Sequence, residues 1–343
     1  MKKKFLFCAI LATAYAFSAN AQETEMITAT LQHGNQTTVF YNKTAFINAY
    51  NAAADTLDVI TLSSGTFSSP GVIEKSLTIY GQGFETDTIT GIEPTIIDGS
   101  ELPIYANGTH LEGLLINNRL NIGKSGVTSH DNSIIRCRMM GVKFNSDSYD
   151  TEITQCVIAS KMDPVSGHIN GGYTVWGGEK VEYTAHNLNI SNCWISGGIQ
   201  LFSVPESTIH VDHCILWTHY LASNIPGGSY GPYYYTNNII YKGFDEGATS
   251  KGNKSGTAIG TLFEDEGEDG YYDAKKSLAV IAFDSLNGDE INRGTDGTVI
   301  GLYGGVYGWK KIPSIPRITK TTIDTSSANE GVIKVNIAAE INE

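Results

Sequence analysis

The sequence predicts an all-β protein, a right-handed parallel β-helix with a short N-terminal capping helix and a small strand-containing tail at the C-terminus. The first observation is composition: the 343 residues include 37 glycines and only 17% charged residues, a balance typical of short strands joined by many turns. The second is a motif that returns about every 20 residues in the middle of the chain. With 41% hydrophobic residues, the chain can also bury a large core.

The repeated motif is an apolar residue, two variable residues, a cysteine, one variable residue and a second apolar residue. The copies begin at Leu111, Ile134, Ile153, Ile190, Val211 and Tyr235, and the first and last of them lack the cysteine. Their starts are 23, 19, 37, 21 and 24 residues apart, so the longest interval is either two coils or one coil with an insertion. A period near 20 predicts a solenoid, because each coil buries its apolar edge only against its neighbours.

Four segments are predicted along the chain. Residues 1–21 have three lysines, an apolar run of 13 residues and a small-residue site, which together indicate a cleaved secretory signal. The apolar run is too short to span a bilayer, so no transmembrane segment is expected. Residues 22–57 form an N-terminal segment, 58–305 the β-helix and 306–343 a tail or small module. The protein is therefore expected in the periplasm, on the cell surface or outside the cell.

The N-terminal segment contains the predicted capping helix, at residues 44–54. Thr44 is a candidate N-cap, and Phe46, Ile47, Tyr50 and Ala54 follow at helical spacing. Short strands bounded by turn residues are expected next, at 58–63, 65–67, 72–73, 77–81 and 95–99. In the C-terminal tail, residues 331–337 are expected to form one strand.

The sequence resembles secreted right-handed parallel β-helix proteins of the pectin-lyase-like superfamily. Three stretches carry the resemblance: DVITLSSGTF, LTIYGQG and TIIDG within residues 58–99, the repeats of residues 111–243, and GTDGTVIGLYGG at 294–305. In such proteins an N-terminal helix caps the open end of the coil, as expected here of residues 44–54. The resemblance implies the fold and leaves the activity open, since this scaffold supports lyases, hydrolases, adhesins and binding proteins.

Four cysteines, Cys137, Cys156, Cys193 and Cys214, occupy the same position of the repeat. We expect them to form an internal ladder of buried thiols, because unpaired cysteine behaves as a small apolar core residue. A disulfide between neighbouring coils is the alternative. A zinc site is disfavoured, because a linear stack does not converge on a tetrahedral centre.

Strand alternation predicts an external strip beside this ladder. If Cys137 and Met139 point inward, the residues between them and their equivalents point outward. The strip then consists of Arg136, Arg138, Gln155, Asn192, Trp194 and His213. Two insertions, 162–186 and 217–234, follow the same strand and are expected to wall the strip into a sugar-binding groove, unless their rings only cover the loops. The candidate ligand-binding residues are Gln155, Asn192, Trp194, Trp176, Tyr173, Trp217 and Tyr230.

The stretch HVDHC at 210–214 resembles the Trp-Ile-Asp-His-Cys pattern of pectate lyases, which places Asp212 and His213 at matching positions. His210 replaces the tryptophan, and no downstream Arg-x-Pro-x-x-Arg element supplies a base for elimination. The short acidic and histidine motifs of polygalacturonases are also absent. The candidate catalytic residues are Arg136, Arg138, Asp212 and His213.

The net charge of the chain restricts the classes of molecule that it is expected to bind. Removal of the predicted signal changes the formal net charge from −13 to −16, and a surface this negative repels nucleic acid and acidic polymers. No cofactor is required by the motifs. Calcium is the one ion with a candidate site, an acidic cluster with Glu264, Asp265, Glu268 and Asp269. The sequence favours a polysaccharide-binding protein; a divergent polysaccharide lyase or glycoside hydrolase and a structural or adhesive surface protein that contacts a protein partner are the alternatives.

Overall fold

A computed structural model shows the chain as a parallel β-solenoid, in which successive coils stack their strands into long sheets. It describes residues 27–54, 56–86, 91–159, 169–171, 173–174, 180–181, 185–195, 199–200, 208–218, 233–242, 250–251, 254–255, 294–298, 300–302, 304–305, 317–324 and 334–340. The predicted all-β class with stacked parallel coils is confirmed.

Sheet A is the longest sheet and has eleven strands, numbered like all others in chain order. In spatial order they are β2 (Gln36–Tyr41), β1 (Thr28–His33), β3 (Thr56–Leu62), β5 (Ser76–Tyr80), β8 (His110–Glu112), β12 (Ser133–Ile135), β16 (Glu152–Thr154), β22 (Leu188–Ser191), β25 (Ile209–Asp212), β27 (Tyr233–Thr236) and β29 (Ser250–Lys251). All neighbours from β3 to β29 are parallel, whereas β1 pairs antiparallel with both β2 and β3.

Three further parallel sheets complete the coils. Sheet B consists of β4 (Gly65–Ser68), β6 (Thr95–Asp98), β9 (Leu115–Ile116), β13 (Arg138–Met139), β17 (Val157–Ile158), β23 (Trp194–Ile195), β26 (Ile215–Thr218), β28 (Ile239–Lys242) and β30 (Lys254–Ser255). Sheet C consists of β7 (Leu102–Ile104), β10 (Arg119–Ile122), β14 (Gly141–Phe144), β18 (Ile169–Gly171) and β24 (Ile199–Gln200). Sheet D consists of β11 (Ser129–His130), β15 (Ser148–Tyr149) and β21 (Ala185–His186).

The repeated motif spans the corner between sheets A and B. Its first apolar residue lies inward on sheet A and its last lies inward on sheet B, as Ile153 and Ile158 do with no exposed surface. Ile153 pairs directly with Ile190 on the next strand of sheet A. The interval of 37 residues is therefore one coil that carries an insertion.

The four cysteines form the predicted internal ladder. All are free and fully buried. Three of them accept a hydrogen bond from the backbone N–H of the cysteine on the preceding coil: Cys137 N–H donates to Cys156 Sγ at 3.5 Å, Cys156 N–H to Cys193 Sγ at 3.4 Å and Cys193 N–H to Cys214 Sγ at 3.4 Å. At the next coil Asn238 does the same, because its Oδ1 accepts from Cys214 N–H at 2.8 Å. Burial raises the pKa of Cys137, Cys156 and Cys193 well above its usual value.

The predicted capping helix, α1, runs from Ala45 to Ala52, and Thr44 takes the N-cap position without a side-chain hydrogen bond. Its apolar side, with Phe46 and Tyr50, is buried in the core at the first coil. Lys75 ties the helix to that coil, because its Nζ donates to the carbonyl oxygens of Tyr50 and Ala53, both at 2.7 Å.

Three antiparallel hairpins were not predicted as pairs. β1 and β2 form a hairpin around Gly34 that extends sheet A beyond the coils. In the tail, β31 (Arg317–Asp324) pairs with β32 (Lys334–Glu340), so the expected strand at 331–337 has a partner within the chain. A third, short hairpin joins β19 (Tyr173–Thr174) to β20 (Lys180–Val181). No helix in the described part of the chain is long and apolar enough to cross a membrane.

Candidate functional site

The residue before each cysteine forms the corner between sheets A and B. These residues, here called the corner ladder, are Arg136, Gln155, Asn192, His213 and Asn237, and all have a positive φ between 50° and 56°. Only glycine and, less readily, asparagine adopt this left-handed conformation at low cost. The motif therefore turns at this point and is not one continuous strand, as the sequence analysis had assumed.

The described residues of segment 294–305, here called the strap, lie across the corner ladder. Gln155 Nε2 donates to the carbonyl oxygens of Leu302 at 3.4 Å and Gly304 at 3.1 Å. Asn192 Nδ2 donates to the Gly301 carbonyl at 3.3 Å. The described residues of the strap belong to no strand. This stretch, the last part of the predicted β-helix segment 58–305, crosses the outside of the coils.

Further contacts attach the strap to the two coils that follow. Gly301 N–H donates to the His213 carbonyl at 2.8 Å, and Asn237 Nδ2 donates to Thr295 Oγ1 at 3.0 Å. The strap thus reaches four successive members of the corner ladder, from Gln155 to Asn237. These members belong to coils separated by up to 82 positions in the chain, from 155 to 237.

Apolar side chains on the outer side of sheet B are buried beside the strap. Val157, Trp194 and Ile215 are at most 1% exposed, yet they do not belong to the main core cluster. Ile300 and Leu302 of the strap are also buried, at 2% and 1% exposure. A Cβ atom at Gly301 would lie 2.6 Å from Ile215 Cδ1, which shows how closely the strap backbone approaches this surface.

The expectation that Trp194 lies on an exposed strip is therefore wrong. Trp194 follows Asn192 by two residues and pairs with Ile215, and both of these residues contact the strap. Gln155 and Asn192 are also buried, at 2% and 6% exposure, with their amides directed to strap carbonyls. Gln155 and Asn192 therefore face the strap and not an open groove, and Trp194 is buried beside them.

The candidate catalytic residues are not brought together. Arg136 follows β12 and Asp212 ends β25, three strand spacings away, which corresponds to about 14 Å. Arg136 Nη2 instead binds Glu112 Oε1 of the preceding coil at 2.8 Å. Arg138 is 7% exposed and lies in the same ladder of sheet B as Val157. Only Asp212 and His213 are neighbours in one cluster.

His213 lies between two carboxylates. Its Nδ1 is 2.5 Å from Asp212 Oδ2, and its Nε2 is 3.3 Å from Asp296 Oδ1 of the strap. Asp212 Oδ1 also accepts hydrogen bonds from the Thr236 hydroxyl and from Asn237 Nδ2, the latter at 3.3 Å. The cluster therefore joins β25, β27 and the strap.

Asp212, the last residue of β25, and His213, which follows it, have opposite pKa shifts. The hydrogen bond to Asp212 raises the pKa of His213 despite burial, and the charges of Asp212 and Asp296 act in the same direction. Burial favours the protonated form of Asp212, but hydrogen bonds from His213, Thr236 and Asn237 outweigh it and lower the pKa of Asp212. The imidazolium and carboxylate forms therefore stabilise each other.

Sheet A presents an outward surface that the sequence analysis did not single out. Its side chains alternate with the buried residues of each strand and align across the strands in two ladders. The first ladder is Thr78, His110, Ser133, Glu152, Asn189, His210 and Tyr234, and the second is Tyr80, Glu112, Ile135, Thr154, Ser191, Asp212 and Thr236.

Two groups on this surface combine an aromatic ring with a carboxylate. The Tyr80 cluster consists of Tyr80, His110, Glu112 and Arg136, and the Tyr234 cluster consists of His210, Asp212, Tyr234 and Thr236. In the first, the Tyr80 and His110 rings meet edge to face at 5.6 Å. In the second, the His210 and Tyr234 rings stack at 4.9 Å with an interplanar angle of 11°. The recurrence of His-apolar-acid, HLE at 110–112 and HVD at 210–212, is the sequence signal that could have revealed both clusters.

Other predicted site residues lie outside what the structure describes. This holds for the side chains of Tyr173, Trp176, Trp217 and Tyr230, and for the acidic candidates Glu264, Asp265, Glu268 and Asp269. Within the described ranges, no group of three or more His, Cys, Asp or Glu residues has the arrangement of a metal site.

Comparison with known proteins finds no matching family model, no matching curated protein and no matching solved structure.

Proposed function

We propose that the protein binds a polysaccharide on the outward surface of sheet A without cleaving it. The observation that carries the proposal is the Tyr234 cluster, where stacked aromatic rings adjoin an ionised carboxylate on one surface. An aromatic ring offers a flat apolar surface for the C–H face of a sugar, while a carboxylate accepts strong hydrogen bonds from hydroxyl groups. A sugar ring presents both an apolar C–H face and hydroxyl groups, so it can contact the rings and the carboxylate at once.

The arrangement of acids favours binding over hydrolysis. Ordinary glycoside hydrolysis needs two carboxyl groups on opposite sides of the scissile bond. Asp212 and Asp296 do face each other, but the His213 ring occupies the space between them. His213 itself is 6% exposed, and both ring nitrogens face carboxylates. In this arrangement the His213 ring lies where a glycosidic bond would have to lie between the two carboxylates. Its Nδ1 is hydrogen-bonded to Asp212, and its Nε2 is buried beneath the strap, which keeps it from acting as a base on a bound sugar.

The charge of the chain favours neutral polymers. The formal net charge of −13 disfavours association with uronate or sulfate polymers, because like charges repel over the whole surface. The two ladders of sheet A contain Glu112, Glu152 and Asp212, and the cationic side chain of Arg136 beside them is already paired with Glu112.

The test is retention in native gels containing xylan, galactomannan or mixed-linkage β-glucan, with polygalacturonate as the acidic comparison. We expect retardation by at least one neutral polymer and none by polygalacturonate. Parallel assays with and without calcium monitor new reducing ends and the ultraviolet absorbance of unsaturated products. Product formation would replace the proposal with a lyase or hydrolase, and absence of retention on every polymer would overturn it.

A matched pair of ring variants locates the site. Tyr234→Ala and Tyr149→Ala each remove one ring of a stacked Tyr–His pair, His210 with Tyr234 on sheet A and Tyr149 with His186 on sheet D. We expect Tyr234→Ala to abolish retardation and Tyr149→Ala to leave it unchanged. The reverse result would move the binding surface from sheet A to sheet D.

A further inference from the structure

We infer that the ligand is a linear, uncharged polysaccharide that lies along the axis of the coils and contacts the Tyr80 and Tyr234 clusters at the same time. This inference rests on the proposed function, which it extends from a surface to a ligand length and direction. The two clusters provide the evidence, because they repeat one arrangement of groups at two places on one sheet.

The shared arrangement begins with a histidine and a carboxylate two positions apart on one strand. His110 and Glu112 lie on β8, and His210 and Asp212 lie on β25. Both histidines belong to the first outward ladder and both carboxylates to the second. Because successive strands are in register, the two histidine-to-carboxylate directions are parallel. A chain along the coil axis therefore meets the same pair of groups twice.

The distance between the clusters is set by the stacking of the coils. β8 and β25 are separated by β12, β16 and β22, so four strand spacings lie between them. At the usual spacing of sheets this is about 19 Å. A mono- or disaccharide cannot bridge this distance, whereas an extended oligosaccharide can.

The sheet surface between the clusters has short, mostly polar side chains. These are Ser133, Ile135, Thr154, Asn189 and Ser191, together with Glu152, whose carboxylate accepts a hydrogen bond from Thr154 at 2.8 Å. None of these residues is aromatic, so the rings are confined to the two clusters. The ligand is therefore expected to be held mainly at two points, with hydroxyl contacts between them.

Each carboxylate has compensating partners within the protein. Glu112 faces Arg136 Nη2 at 2.8 Å and His110 Nε2 at 3.2 Å. Asp212 is held by His213 Nδ1 at 2.5 Å and by the Thr236 hydroxyl. The clusters therefore do not need a cationic ligand for charge balance. Their unused acceptor capacity fits neutral hydroxyl groups.

Two attachment points on one ligand predict avidity. Once one cluster is occupied, the second binds an already tethered chain at a high effective concentration, which raises the affinity by about 100-fold or more over one cluster alone. A fragment too short to reach 19 Å, the spacing estimated above, gains nothing. The dependence of affinity on chain length is thus the signature of this geometry.

The experiment measures by calorimetry the binding of size-fractionated xylan fragments, or of galactomannan fragments if that polymer is the one retained. We expect the affinity to rise by about 100-fold within a narrow range of fragment length. His110→Ala and His210→Ala, which alter opposite clusters, should each remove that step. The two substitutions together alter both clusters, so they should weaken the binding of long fragments further than either single substitution does. Tyr149→Ala, on sheet D, serves as the control.

The outcomes separate this inference from the proposed function. If no polymer or fragment binds, the proposed function fails. If fragments bind but short and long ones have equal affinity, or if His110→Ala leaves the affinity for long fragments unchanged, the two-cluster ligand is wrong while binding on sheet A stands. Thermal unfolding of each variant is recorded first, and a His→Asn substitution replaces any Ala variant that fails to fold.

Discussion

The backbone of Gly294 lies directly against the imidazole ring of His213. A Cβ atom at position 294 would overlap ring atoms Cδ2 and Nε2 and would come within 2.8 Å of Asp296 Oδ1. The strap therefore depends on the absence of a side chain at this point. The same close approach brings Asp296 within reach of His213, so the contact also determines the electrostatics of the cluster.

The substitution Gly294→Ala is expected to displace the strap from the coils. Overpacking of a close contact costs about 1–3 kcal/mol, which corresponds to opening that is roughly 5-fold to 150-fold more frequent. The opening of the strap is measured by hydrogen exchange and mass spectrometry of peptides that cover residues 294–305. Gly297→Ala is the control: Gly297 has φ +79°, so alanine strains the backbone there, but no atom lies within 4 Å of the added Cβ. If both variants accelerate amide exchange in the strap equally, steric overlap with His213 is not the cause of the displacement.

Attachment of the strap should depend on pH through His213. The largest cause of its raised pKa is the hydrogen bond to Asp212 on β25, and the charge of Asp296 on the strap acts in the same direction, so protonated His213 favours the attached strap. This contribution is complete below the unfolded value of about 6.5 and is lost as pH rises through the folded value. The pKa of Asp212 is lowered, so its contribution is present above about 3.9 and is lost as pH falls. Exchange of the strap amides, corrected for intrinsic rates, should be slowest near pH 5–6, which lies between the two reference pKa values. It should be faster at about pH 8, where His213 loses its proton.

The variant His213→Asn tests this pH dependence without disturbing the corner. Asparagine already occupies the equivalent left-handed positions 192 and 237. In this variant the difference in strap exchange between pH 6 and pH 8, the range around the reference pKa of histidine, should disappear. A difference that persists in His213→Asn would assign the pH dependence to other groups.

Lys75 should stabilise the capping helix. Its Nζ donates to the carbonyl oxygens of Tyr50, Asn51 and Ala53 at the end of α1 and lies 4.9 Å from the Tyr50 ring centroid. Lys75→Met removes these bonds and the favourable charge at the helix C-terminus, so the free energy of unfolding in urea should fall by about 1–2 kcal/mol.

Lys124→Met is the matched control, because Lys124 has a similar contact with an aromatic ring, 5.5 Å from the Tyr105 ring centroid. It should change stability by less than about 0.5 kcal/mol; an equal loss in both variants would contradict the role of the carbonyl bonds.

The inward residues of the coils could be predicted from sequence because their signal is local and repeated. Ile134, Cys137 and Met139 recur in each copy as apolar residues at fixed spacing, and all are buried as expected. The N-terminal hairpin also had a local signal, since alternating residues flank Gly34, which has a positive φ. The sequence analysis did not use that signal.

The exposure of the strip could not be predicted, because it depends on a turn without a clear sequence signature and on a segment far along the chain. First, the corner ladder includes Arg136 and Gln155, which are not typical residues of the left-handed region, so the turn had no clear signature. Second, the strap reaches Gln155 from almost 150 positions later in the chain. Periodicity shows which residues point away from the core, but not which later segment covers them.

The cysteine ladder provides the last prediction, since one of its members can be compared with a natural replacement. Cys214 Sγ accepts from Cys193 N–H at 3.4 Å and lies 3.6 Å from the Ile190 carbonyl oxygen. At the next coil Asn238 makes the same two contacts, to Cys214 N–H at 2.8 Å and to the Val211 carbonyl at 2.7 Å. Position 214 should therefore accept asparagine as a functional equivalent.

Cys214→Ala is expected to cost about 1–3 kcal/mol of unfolding free energy, because it leaves the buried Cys193 N–H without an acceptor. Cys214→Asn should lose less than Cys214→Ala, since its Oδ1 restores that acceptor and its amide can donate to Ile190. Urea unfolding of the two variants beside the wild-type chain measures the difference. If the asparagine variant is the less stable of the two, the ladder selects cysteine for its small volume, and the hydrogen bonds to sulfur contribute little.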